Sequence, residues 1–177
     1  MVRLEPVAPG HREAFLEMAR EFRSGGDERF AGVLDDWDAY LAHTQAARQG
    51  RGLPPNRVQQ TSFLAFHGER LIGGARLRHR RIELLERDGG NIGYEVRPSE
   101  RRNGYGHGIL AAALDEARRI GLGSVLLTAE TGNLASLRTI ERAGGVRAGT
   151  SVSHNNFRTM ARYHIELGPL TRPTSGP

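Results

Sequence analysis

Apolar positions recur along this chain with two periods, and the switches between them lay out its elements. Residues 2–7 alternate apolar and polar side chains, which predicts a first strand. From His11 to Arg23, the residues Ala14, Phe15, Met18, Ala19 and Phe22 fall at helical spacing and predict an amphipathic helix, broken by Ser24-Gly25-Gly26-Asp27. A second helix is expected over Val33–Ala47, with Leu34, Trp37, Tyr40 and Leu41 on one face, followed by a loop over Gly50–Arg57. Thr61–Phe66 and Leu71–Arg78 read as a hairpin joined by His67-Gly68-Glu69-Arg70. Ile82–Arg87 leads into a turn at Asp88-Gly89-Gly90 and then a strand over Asn91–Val96. A helix over Ile109–Ile120, a strand over Ser124–Ala129 and a helix from Asn133 to Ala143 come next. Two last strands, Gly145–His154 and Asn156–Leu167, complete the pattern, which is that of a single-domain α/β fold over residues 1–168. Residues 169–177 are rich in Pro, Gly, Thr and Ser and predict a frayed tail.

Chemistry concentrates between the Asn91–Val96 strand and the Ile109–Ile120 helix, in Arg101-Arg102-Asn103-Gly104-Tyr105-Gly106-His107-Gly108. Strand, basic glycine-rich turn and helix is an arrangement that binds phosphate. Glycines let the backbone approach closely, and the first N–H groups of the helix have no partner within it. The helix dipole and two arginines add to the attraction. A P-loop is excluded, because it needs Gly-Lys-Ser/Thr and the chain has no lysine. The spacing Gly104-x-Gly106-x-Gly108 does not fit the G-x-G-x-x-G of a dinucleotide fold.

What fits is Arg-x-x-Gly-x-Gly from Arg101 to Gly106, preceded by Val96-x-Pro98. Here the sequence resembles the GNAT superfamily of acetyl-CoA-dependent N-acetyltransferases, whose cofactor loop reads Arg/Gln-x-x-Gly-x-Gly/Ala. The resemblance extends over roughly residues 61 to 165, through the following strand and the helix opened by Asn133-Leu134-Ala135-Ser136. Ala75-Arg76-Leu77-Arg78-His79-Arg80 and Gly89-Gly90-Asn91-Ile92-Gly93-Tyr94 are similar to a little-characterised bacterial subgroup with no assigned substrate. The resemblance implies a GNAT fold: a mixed, twisted sheet of six or seven strands with helices on both faces. It implies acetyl-CoA as co-substrate, with Arg101, Arg102, Asn103, Gly104, Tyr105, Gly106, His107 and Gly108 at its pyrophosphate. Tyr94 and Val96 act through the backbone, and Asn133, with Ser136, meets the pantetheine arm. In such folds the central strand splays from its neighbour to admit that arm.

The reaction implied is acetyl transfer to a primary amine through a tetrahedral intermediate. Its nucleophile must be neutral, while an alkylammonium has a pKa near 10, so the site has to take up a proton. Glu95 is the one carboxylate on the central strand and is the candidate base, against an ion-paired structural role of equal standing. Tyr163 is a candidate acid, with core packing the commoner role for such a residue. His79, Trp37 and Tyr40 are candidate contacts to the acceptor, a small molecule or a peptide amine; again core packing is the commoner role for the two aromatics. Many family members carry a tyrosine seven residues after the helix-opening Asn, to protonate the leaving thiolate; that position is Ile140. Tyr163 or Tyr94 could stand in, or the thiolate, with a pKa of about 8.5, leaves unassisted. The departure supports a second reading, a non-catalytic acyl-CoA-binding sensor or partner-binding module.

Composition narrows the classes. The 177 residues suit one domain, and no apolar run approaches the roughly 18 residues of a membrane span. The first residues lack the apolar core of a signal peptide, so a cytoplasmic location is expected, with no membrane partner. There is no cysteine, so no cysteinyl acyl-enzyme can form and transfer is direct. No metal ligand set is expected. The net charge is +5 and all 25 basic residues are arginine, spread along the whole chain with few aromatics between them. That spread does not indicate a nucleic-acid surface. Dimers are common among folds of the type implied, and no segment of the sequence specifies an interface.

Overall fold

The computed structural model describes residues 1–83, 89–153 and 157–168. Among the described residues, seven strands form two sheets. The first has the order β1 (Val2–Pro6), β2 (Gln60–His67), β3 (Arg70–Arg78), β4 (Ile92–Val96), and the second β5 (Ser124–Glu130), β7 (Thr159–Glu166), β6 (Val146–Val152). All the registered pairs are antiparallel. The helices are α1 (Arg12–Ser24), α2 (Ala31–Asp35), α3 (Trp37–Arg48), α4 (Tyr105–Arg119) and α5 (Leu134–Arg142).

Alternation along β2 explains the layers. Phe63 and Ala65 face one side, where Ile109, Leu110 and Ala113 of α4 close the larger core. Leu64 and Phe66 face the other, against Phe15, Met18 and Phe22 of α1 and Trp37 of α3. Helices therefore cover both faces, and each fully buried Leu, Ile or Phe contributes roughly 1.5–3 kcal/mol.

Two expectations need correction. The helix expected over Val33–Ala47 is two helices, because Asp36 leaves helical geometry (φ −152°, ψ 97°) and its carboxylate accepts the Ala39 N–H at 2.9 Å. The helix expected from Ile109 begins at Tyr105, since Gly106 and Gly108 carry no side chain to extend the apolar pattern. Pairing stops between β4 and β5, the splay that the family resemblance implied. The two sheets are clipped at one end of the break. There Asn91 N–H donates to Leu126 O at 2.7 Å, its Oδ1 accepts the Leu126 N–H at 2.9 Å, and its Nδ2 reaches Arg78 O at 3.3 Å. The expected segments at residues 84–88, 154–156 and 169–177 lie outside the described residues.

Candidate functional site

Beyond the Asn91 clip, the gap between the sheets opens into a cleft of about 710 Å³. Its walls are Tyr94, Glu95 and Val96 of β4, the turn from Arg101 into α4, and the outward face of α5. Pairing with β3 decides which β4 groups face it. Arg97 N–H donates to Ile72 O at 2.9 Å, and Arg78 N–H to Asn91 O at 2.8 Å. The odd-numbered residues of β4 therefore bond to β3, and by antiparallel alternation Tyr94 and Val96 turn their N–H and C=O groups toward the gap.

At one end of the cleft, α4 starts without protection. Its N-cap is Gly104 in the left-handed region (φ 79°), with no side-chain cap and no acidic residue in the first turn. Arg102, just before it, also has positive φ (69°), a conformation that costs a non-glycine residue on the order of 1 kcal/mol. The bare helix end and the exposed Arg101, Arg102, Arg138 and Arg142 give this end a positive character suited to an anion. His107 lines it too, and its Nδ1 is buried without a hydrogen-bond partner among the described residues. Asn103 and Gly108 do not line the cleft. A Cβ on Gly108 would lie 2.7 Å from Val2 Cγ2, so that glycine serves the packing of α4 on β1.

The middle of the cleft is bridged. Tyr94 reaches from β4 to α5, its hydroxyl 3.1 Å from Ser136 Oγ. Burial pushes its phenol above the usual value, against hydrogen bonds from Ser136 and Thr139 that lower it. Asn133 caps α5, its Oδ1 accepting the Ser136 N–H at 3.1 Å, which leaves its Nδ2 out of the cap. Ile140 is buried in the core, and so is Tyr163, whose hydroxyl donates to Glu141 Oε1 at 2.8 Å. Burial, then Glu141, pushes the Tyr163 phenol up, and the residue stands outside the cleft lining.

The other end turns toward the first helices. Glu95 faces α1–α3 through a window in β3, where a Cβ on Gly74 would lie 2.6 Å from Glu95 Oε1. The Glu95 carboxylate is buried and met at Oε2 by Arg76 Nη2 at 3.3 Å and Arg29 Nη1 at 3.9 Å. Of the three expected acceptor contacts, none lines the cleft; the Tyr40 phenol lies in the field of Glu95 and Arg76 and is pushed up chiefly by burial. Trp37 packs edge-on against Phe15 at 6.1 Å, away from the cleft lining. His79 is also away from it, its Nε2 2.9 Å from Thr61 Oγ1; burial and then Arg48 hold its imidazole below the usual value.

The sequence reading missed Arg29, Ala135, Arg138, Thr139 and Arg142, all of which line the cleft. Four of them had a signal: 135, 138, 139 and 142 share one face of a helix opened at Asn133. Arg29 had none, since it sits in a turn far from β4 in sequence.

The sequence matches the acetyltransferase (GNAT) family over residues 15–145. No curated protein matches it. Among solved structures it is similar to yncA from Salmonella typhimurium, a putative acetyltransferase with its cofactor acetyl-CoA, at 17% identity over 99% of both chains and a TM-score of 0.66. It is also similar to a Salmonella typhimurium acetyltransferase that modifies the N-terminal serine of a 50S ribosomal subunit protein (15% identity, 94% of this chain and 95% of that one, TM-score 0.68). Mutant forms of the spermidine/spermine N-acetyltransferase from Vibrio cholerae align at 15% identity over 94% of this chain and 95% of that one, with a TM-score of 0.64. At these identities the likeness establishes the fold.

Proposed function

The chain belongs to the acetyltransferase (GNAT) family, for which acetyl-CoA is the co-substrate, and from that premise we propose that it acetylates a primary amine by direct transfer. The observation that carries the reading is one continuous cleft with an uncapped, arginine-flanked helix end at one side and outward-facing N–H groups of β4 at the other. Arg101, Arg102, Arg138 and Arg142 and the first N–H groups of α4 would hold the pyrophosphate and phosphate charges. Tyr94, Asn133 and Ser136 would flank the pantetheine arm, and the Val96 N–H would polarise the thioester carbonyl.

Acetyl-CoA supplies the activated acetyl group. The new N–C bond forms as the thioester C–S bond breaks. An ammonium acceptor loses two protons in the process, one to the departing sulfur and one to solvent. Glu95 accepts the first proton from the acceptor, from a position beside Val96 on the acceptor side of β4. Tyr94 is positioned to give a proton to the sulfur, a role Ile140 cannot fill. With no cysteine in the chain, no cysteinyl acyl-enzyme is available. The reaction draws on acetyl-CoA of the cytoplasm.

Thermal unfolding with acetyl-CoA, CoA and ATP at equal concentration tests the cofactor half, because a ligand that binds only the folded state raises the midpoint. Stabilisation by the two CoA ligands but not by ATP is expected. Thiol release with an amine then separates an enzyme from a non-catalytic acyl-CoA-binding module, the second reading that Ile140 and the arginine-held Glu95 favour.

A further inference from the structure

The acceptor end of the cleft has an unusual charge arrangement, and it is held rigidly. Arg29 is fixed by Asp27, which accepts its Nε at 2.9–3.0 Å and pairs with Nη2 at 2.7 Å. Its guanidinium also lies over the Phe22 ring at 5.1 Å, with Arg101 over the same ring at 5.6 Å. Arg29 thereby aims Nη1 at Glu95. Arg76, from β3, reaches the same carboxylate oxygen across the glycine at Gly93.

Neither contact to Glu95 is the close, two-bond fork that an arginine makes with a carboxylate at about 2.7–2.9 Å. Arg76 spends one end of its five-donor guanidinium on this contact, while Arg29 gives Nε and Nη2 to Asp27 and turns only Nη1 to Glu95. The side chains of Arg29 and Arg76 are 39% and 43% exposed, whereas that of Glu95 is 6% exposed. A buried anion is thus flanked by two cations that keep contact with solvent, and one of them, Arg29, lines the cleft.

An acceptor must bring its amine to Glu95 and must pass those two guanidiniums. A polyamine would set further ammonium groups beside them, which like-charge repulsion disfavours. A simple neutral-tailed amine would bring no group for either arginine to bind. Resting on the transferase reading above, we infer that the acceptor carries a carboxylate next to its amine, as a free α-amino acid does. Its ammonium meets Glu95 while its carboxylate replaces Glu95 as the partner of Arg76 and Arg29. One carbon separates the two groups of such a substrate, matching the adjacency of Glu95 to both arginines. Arg76 and Arg29 are then the residues that set specificity.

The test is thiol release from acetyl-CoA with a panel of L-amino acids, their uncharged primary amides, and spermidine, alongside thermal shifts with acetyl-CoA alone. The expected result is a kcat/KM at least tenfold higher for one or more amino acids than for the matching amide. Arg76→Gln and, separately, Arg29→Gln should bring that ratio toward one by raising KM for the amino acid while leaving the acetyl-CoA shift in place. Equal rates with acid and amide, a preference for spermidine, or acetyl-CoA binding with no release from any amino acid overturns the inference and leaves the cofactor site standing. No shift with acetyl-CoA overturns the transferase reading and this inference together.

Discussion

Two residues of the cleft can be tested by changing a few atoms. At Gly104 the backbone is left-handed (φ 79°), and no atom lies within 4 Å of where a Cβ would be. A β-branched residue there meets no steric neighbour, yet it resists that φ by roughly 1–2 kcal/mol and shields the first N–H groups of α4. Gly104→Val should raise the acetyl-CoA dissociation constant tenfold or more while circular dichroism stays that of the parent; unchanged affinity would remove the turn from the site. Tyr94 raises a separate question, because its hydroxyl sits where the gap is bridged to Ser136. If that hydroxyl protonates the sulfur, Tyr94→Phe lowers kcat by roughly 10–100-fold with little change in KM for acetyl-CoA. A kcat equal to that of the parent would mean that the thiolate leaves without help.

At the scale of elements, the Asn91 clip decides where the gap between β4 and β5 begins. Its side chain satisfies the Leu126 N–H inside the core, where an unpaired amide costs about 1–3 kcal/mol. Asn91→Ala should therefore lower the urea-unfolding free energy by about 2 kcal/mol, and an effect below a few tenths would show that backbone pairing alone holds the sheets together. Nothing in the sequence marks this clip, because Asn91 reads only as the first residue of a strand, and its partner Leu126 lies far along the chain. The turn into α4 was legible for the opposite reason: glycine and arginine are themselves the chemistry of anion binding there. The α2–α3 break was hidden because Val33, Leu34, Trp37, Tyr40 and Leu41 keep helical spacing straight through Asp36. The split sheet was hidden as well, since residue alternation is identical whether a strand edge is paired or open; only the family resemblance implied it. Glu95 was legible as the carboxylate of the central strand, whereas its pairing with Arg29 depends on tertiary folding.

At the scale of the whole molecule, one buried arginine ties the helical layer to the strand that carries the site. Arg97 leaves β4 with a side chain 10% exposed; its Nε donates to Glu21 Oε1 at 2.7 Å, and its Nη2 pairs with Glu17 at 3.0 Å. Glu21 also accepts the Ser99 N–H at 3.1 Å, so α1 holds both the end of β4 and the start of the anion-binding turn. Burial alone would raise the Glu21 carboxyl, but the bonds from Arg97 and Ser99 outweigh it and hold it below its ordinary 4.5. A carboxylate with a depressed folded-state pKa gives stability that is present above the unfolded value and lost as pH falls through the folded one. Arg97→Gln should cost about 2–3 kcal/mol at pH 7, less than for a fully dry pair because Glu17 is largely solvated. Without the guanidinium, burial is opposed only by the Ser99 bonds, so the Glu21 carboxyl is held down less than in the parent. The gap between parent and variant should therefore narrow as urea titrations move from pH 7 to below 4.5, with the parent losing stability and the variant losing less. A gap that stays constant across that range would mean that Arg97 acts through packing of its alkyl chain rather than through its charge.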